Sequence, residues 1–328
     1  MKHSLAPFLL LLCIASETSA RTWYVAPEGI GSGTSWETAF PTISEALVAA
    51  STGDEIRCAS GVYEENVRVL EPVHLLGGYS PSSNQKEGYS KVTPNEGEAV
   101  VGIRASCTIR GFIISDAFGF GTGLSFEPPL EISGASLHVE NCIISNNSSS
   151  WSGGGVSCTR CDAIFENSII EGNFALTTGA GIHIANGTAV LDSCIVRNNT
   201  LPPWLPNYEG VFETQGGGLY AHNSSVHIEN CLFYGNEAGI RSEFSIQEGE
   251  DQTLISTLEN STVYSDAPRP TYLFPVPSVP RIINSVIRCP GVALIGPFHL
   301  VANSNLSGGY PGPGNIDADP LFIDPANG

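Results

Sequence analysis

The sequence predicts an all-β solenoid, a parallel β-helix of short stacked strands covered at its N-terminal end by one short helix. Three observations predict it. A nine-residue phrase recurs as Val139–Asn147, Phe165–Asn173, Leu191–Asn199 and Ile228–Asn236, at intervals of 26, 26 and 37 residues. Glycine clusters precede three of the copies, and the last glycine always stands twelve residues before the phrase's third residue: Gly155 to Asn167, Gly181 to Ser193 and Gly218 to Asn230. Apolar residues within a copy alternate and are rich in β-branched types, and no copy carries a helical i, i+3, i+4, i+7 stripe. Units of this length cannot bury an apolar face alone, so they stack.

Period-2 alternation places Leu191, Cys194 and Val196 inside, with Ser193 at a bend between two strands. Stacking then aligns Cys142, Ser168, Cys194, Cys231, Ser261 and Ser285 as one inward column of small residues. Asn147, Asn173, Asn199 and Asn236 follow the bend by six residues. Asparagine tolerates a left-handed backbone and its amide can bond the next coil, so an asparagine ladder is expected, and the bend residues Asn167 and Asn230 are expected to form amide bonds of the same kind. Just before the bend stand Glu140, Glu166, Asp192, Glu229 and Glu259, directed outward about 5 Å apart. Such a column is either screened by water and salt or bridged by a hard cation such as calcium.

The glycine clusters and the Phe-x-x-Asn copies resemble the right-handed parallel β-helix family of pectin-lyase-like architecture, and also the repeats of polymorphic outer-membrane proteins. Near the N-terminus, Trp23–Val25, Ser35–Trp36, Gly53–Ile56 and Ser60–Tyr63 resemble the opening signature of secreted bacterial β-helix proteins. The resemblance implies a right-handed coil over most of the mature chain. It implies little about activity, because lyases, hydrolases, adhesins and inert surface proteins share the architecture. Polysaccharide lyases and hydrolases of this kind carry clustered outward carboxylates, or calcium-binding aspartates with a basic residue. No paired-Asp or Gly-His-Gly motif stands in this sequence, which counts against a pectinase.

In chain order, residues 1–20 read as a secretory signal peptide. Lys2 and His3 precede an apolar run from Ala6 to Ala15, and Thr18, Ser19 and Ala20 supply a small-residue cleavage site. The run is too short to span a bilayer. Residues 21–53 form the expected N-terminal cap, with a helix over Thr42–Ala50 opened by a Thr42/Glu45 capping box. Residues 54–328 form the solenoid. Within it, the stretch from Ser80 to Glu98 is expected to be a polar loop, and 108–116 a degenerate copy with Gly111 at the bend. The phrase continues at Leu258–Val263 and Ile282–Ile287, and the solenoid is expected to lack a C-terminal closing coil, either uncapped or truncated.

Eight cysteines follow the signal segment. Those of the inward column read as buried thiols used as small apolar residues. Cys158 and Cys161 form a local disulfide, remain free thiols, or hold a metal, no second pair lying at ligand spacing. On the glycine-preceded strand the outward position holds Ser157, His183 and Tyr220. The longest insertion, Leu201–Phe212, rises beside them and carries Trp204, Tyr208 and Glu209, with Glu213 just after it. Aromatic rings next to polar groups suit the apolar faces of sugar rings. His183, Tyr220, Trp204, Tyr208, Glu209 and Glu213 are therefore the expected ligand-binding set, while the alternative is aromatic side chains folded back onto their own coil.

The net charge of −19 excludes nucleic acid and anionic lipid as partners. What is expected is a secreted or cell-surface protein that presents an elongated face, without catalysis and without a cofactor, to an extracellular glycan or cell-surface component. A polysaccharide lyase or glycoside hydrolase is one alternative. A truncated passenger fragment of a surface adhesin is another.

Overall fold

The structure, a computed structural model, describes residues 19–95, 99–119, 121–130, 134–202, 215–238, 244–247, 256–265, 272–274, 281–289, 293–294 and 300–321. It is a parallel β-helix with three long sheets. Sheet A runs from Thr22–Val25 and Glu55–Ala59 through Ser136–Glu140, Asp162–Glu166, Thr188–Asp192 and Ser225–Glu229 to Leu300–Ala302. Sheet B contains Gly61–Glu64, Ser90–Thr93, Ile143–Ser145, Ile169–Glu171, Ile195–Arg197 and their successors. Sheet C contains Val67–Val69, Val101–Ile103, Leu124–Phe126, Val156–Thr159, Ile182–Ala185, Leu219–His222 and Phe244–Gln247. Each coil passes from C around a corner to A, over a two-residue bend to B, and back to C.

The repeat phrase sets the register. Phe165 pairs with Leu191 and Leu191 with Ile228, without a slip. The longer third interval leaves this register intact, because its extra residues fall between the bridges Phe174–Thr200 and Thr178–Gln215, where sheet B hands over to sheet C. The inward column forms as expected: Cys142, Ser168, Cys194, Cys231, Ser261 and Ser285 are all buried. Its polar members satisfy the backbone as they stack. The Ser168 Oγ accepts the Cys142 N–H (3.1 Å), the Ser261 Oγ accepts that of Cys231 (3.0 Å), and the Ser304 Oγ accepts that of Ser285 (3.1 Å).

Two kinds of asparagine divide the work at the corners. Asn147, Asn173, Asn199 and Asn236 are buried and form the ladder: the Asn173 Nδ2 donates to the Asn199 Oδ1 (2.9 Å) and to the Ile144 carbonyl (3.0 Å), and its Oδ1 accepts from Asn147. The left-handed bends belong to other residues. Asn141, Asn167, Ser193, Asn230, Asn260 and Asn284 have φ between 49° and 56° and lie outside. The amide bonds expected at Asn167 and Asn230 are thus a correction, since these exposed residues serve the backbone turn, and the Asn230 amide reaches outward to the half-buried Asp192 Oδ1 (3.0 Å) while its N–H donates to the Glu259 carbonyl (3.2 Å). The glycine clusters have an inward cause as well. A Cβ on Gly155 would meet the Asn173 Nδ2 at 2.9 Å, and one on Gly181 the Asn199 amide at 3.0 Å, so the constant glycine-to-phrase spacing records the seat of the ladder.

The helix spans Ile43–Ala49, capped by the Thr42 Oγ1, which accepts the Glu45 N–H (3.2 Å). A second cap comes from sequence-distant Glu65, whose carboxylate accepts the N–H groups of Ile43 (2.7 Å) and Ser44 (2.9 Å) and the Ser44 hydroxyl (2.5 Å). One further expectation fails. Within the supposed polar loop, Ser90–Thr93 is a sheet B strand with Ser90 and Val92 in the core. A single valine suffices because the Ser90 Oγ satisfies backbone groups, donating to the Ala59 carbonyl (2.8 Å) and accepting from the Gly78 N–H (2.9 Å).

Candidate functional site

The outward positions of sheet C form one continuous line. Arg68 pairs with Gly102, Gly102 with Ser125, Ser125 with Ser157, Ser157 with His183 and His183 with Tyr220. Small residues keep the middle of this face low, and rings close one end. The His183 and Tyr220 rings lie nearly parallel, 14° between planes and 5.5 Å between centroids, as coil stacking requires. Burial, and then the nearby His222, depress the His183 pKa to about 4, so its imidazole is neutral above that. Its Nδ1 is buried and has no hydrogen-bond partner among the described residues.

At the other end the face deepens into a groove of about 470 Å³ lined by Arg68, Leu70, Gly102, Arg104, Ser125 and Glu127. A Cβ on Gly102 would come no closer than 3.9 Å to the Val67 carbonyl, so the groove floor is open. Two arginines, Arg68 and Arg104, line it in a chain of strongly negative net charge. Arg160 reaches across to the Glu127 Oε1 (3.4 Å) and to the Pro128 carbonyl (3.3 Å). It extends from the corner where Cys158 and Cys161 are joined as a disulfide.

The segments that lead into sheet C expose aromatic rings on successive coils. Phe118 is 53% and Trp151 61% accessible, and their backbones are tied by the Ser150 N–H donating to the Gly119 carbonyl (2.7 Å). Trp151 stands two residues before a glycine cluster, a spacing that could have singled it out. Trp204, Tyr208, Glu209 and Glu213, assigned to the same face from the sequence, lie outside the described residues.

Sheet A presents the acidic column in register: Glu140 opposite Glu166, Glu166 opposite Asp192, Asp192 opposite Glu229 and Glu229 opposite Glu259. Partners interleave with it. Glu140 pairs with Arg110, Glu166 with the His138 Nε2 (2.9 Å), and Asp192 with Asn230 and Ser193, whose hydrogen bonds lower its pKa. One ligand atom each from His138, Glu140 and Glu166 lies within 4.8 Å of the others, a set that can hold a metal ion. The other cysteines among the described residues are buried free thiols. Burial raises the pKa of Cys142 to about 11 and that of Cys107 to about 12, so neither offers a thiolate at neutral pH.

Residues 81–267 match the family model described as a right handed beta helix region. Among solved structures, the pectin methylesterase PemA from Erwinia chrysanthemi is similar at 13% identity over 95% of this chain and 98% of that chain, with a TM-score of 0.47. Pectate lyase Pel9A is similar at 15% identity over 88% and 70%, with a TM-score of 0.41. A search of curated proteins finds no match. Identities this low carry no assignment of chemistry.

Proposed function

This chain belongs to the right-handed β-helix family, and from that premise we propose that it is a secreted or cell-surface protein that binds a saccharide along the outer face of sheet C without cleaving it. The observation that carries the reading is the form of that face. A low floor of Gly102, Ser125 and Ser157 runs between an arginine-lined groove and the His183–Tyr220 rings, with Trp151 and Phe118 exposed at its margin. Rings and hydroxyls in one line suit a chain of sugars, each with an apolar face and a polar edge. None of the six residues paired in line from Arg68 to Tyr220 is a carboxylate, Glu127 beside them is engaged by Arg160 (3.4 Å), and the histidine of the line is depressed too far to shuttle protons near neutral pH. A glycan array is the test. Hits that weaken at least about tenfold in Trp151→Ala and in His183→Ala, equivalent to about 1.4 kcal/mol per site, support the reading. Hits indifferent to both changes would remove sheet C from the account.

A second reading, a polysaccharide lyase or hydrolase, has one observation in its favour: His138, Glu140 and Glu166 converge on sheet A. Its signature would be release of reducing ends or unsaturated products from a polysaccharide panel, abolished in Glu166→Gln.

A further inference from the structure

Asp54 leads into the second strand of sheet A, beneath the cap, and is only 3% exposed. Its Oδ1 accepts the main-chain N–H of Arg21 (2.8 Å), and its Oδ2 accepts the Trp23 Nε1–H (2.9 Å) and the Ser51 N–H (2.9 Å). The Arg21 carbonyl is held too, by the Glu55 N–H (2.8 Å). Burial opposes the charge on Asp54, but these three donors and the Arg21 guanidinium outweigh it and keep the carboxyl below its usual range. The Asp54 Oδ2 is thus shared by the Trp23 indole and the Ser51 N–H, while its Oδ1 is turned to the Arg21 backbone nitrogen at the edge of the fold. Ser19 and Ala20, immediately before that nitrogen, are exposed and belong to no strand.

That nitrogen is the one a signal peptidase would release. Hydrolysis of the Ala20–Arg21 bond gives the hydroxyl of water to the Ala20 carbonyl carbon and its hydrogen to the Arg21 nitrogen, which takes a further proton from solvent to become an ammonium. We propose that Asp54 is a receptor for the N-terminus of the processed chain, so that cleavage after Ala20 replaces the neutral N–H donor to its carboxylate by an ammonium, and the resulting ion pair locks the cap. The bond from the neutral N–H already has an ionised acceptor, and an ammonium in its place adds the direct attraction of opposite charges. The cap is thereby tighter in the processed protein than in its precursor. This inference rests on processing at Ala20 and is independent of saccharide binding.

Three measurements test it. The intact mass of the secreted protein gives its first residue, and a start other than Arg21 would overturn the role in maturation. Proteins released from a fusion to begin at Arg21 or at Ser19 are then melted side by side. The form that begins at Arg21 should melt about 2–4 °C higher, and Asp54→Asn should abolish the difference. Equal melting, or a difference that survives Asp54→Asn, contradicts the receptor. Should Asp54→Asn fail to fold, acylation of the terminal amine at neutral pH decides without it. The amine at Arg21 should react about tenfold more slowly than the exposed one at Ser19, as one unit of raised amine pKa requires. Equal rates would overturn the proposal.

Discussion

The buried ladder and the exposed bends put the same residue type to opposite uses, and substitutions separate them. Asn173→Leu strips partners from Asn147, Ile144 and Asn199 at once, with no water to replace them. A cost of about 3 kcal/mol or more is expected from orphaned buried groups. Asn167→Ala leaves only a left-handed backbone without its preferred residue, at about 1–2 kcal/mol. Denaturant unfolding of the two mutants should rank them in that order. His183 supplies a second test at this scale. Its folded pKa of about 4 lies below the ordinary 6.5, so the unfolded chain takes up the proton first as the pH falls. Its contribution to stability is complete above about pH 6.5 and is lost on the way down to about pH 4. Wild type should lose stability across that window faster than His183→Phe, and parallel curves would show that the imidazole is not held neutral.

At the scale of elements, the cap depends on a contact that no local pattern announces. Glu65, between the sheet B strand Gly61–Glu64 and the sheet C strand Val67–Val69, reaches the helix N-terminus, and its carboxylate complements both the free N–H groups and the helix dipole. Glu65→Ala should cost about 2–3 kcal/mol and make Ile43–Ala49 the earliest site of limited proteolysis, whereas a protease pattern like that of wild type would argue against the cap. Legibility in the sequence follows the same division. The bend, the inward Cys and Ser column and the asparagine ladder were readable at 137–236 because each repeats with fixed spacing. Ser90–Thr93 was not, because one valine and a serine that bonds backbone look like loop composition. The Arg68–Arg104 groove was not either, since those residues meet only through pairing of strands 34 positions apart. His183 beside Tyr220 was readable, because twelve-residue spacing fixes both to one register.

Across the whole molecule, a continuous core runs from Val25 to Leu306, and function is left to what the coils display on their outer faces. No helix among the described residues is long and apolar enough to cross a membrane. Two faces compete: sheet C offers rings, hydroxyls and arginines, while sheet A offers carboxylates partnered by histidine, arginine and amides. Local charge favours sheet C over sheet A for an acidic saccharide, because the carboxylate column of sheet A would repel it while arginines line the groove of sheet C. The most direct measurement is hydrogen–deuterium exchange with and without a saccharide identified on the array. Protection confined to Val156–Thr159, Ile182–Ala185 and Leu219–His222 is the predicted result. Protection instead of Ser136–Glu140 and Asp162–Glu166, with sheet C unchanged, would contradict the account.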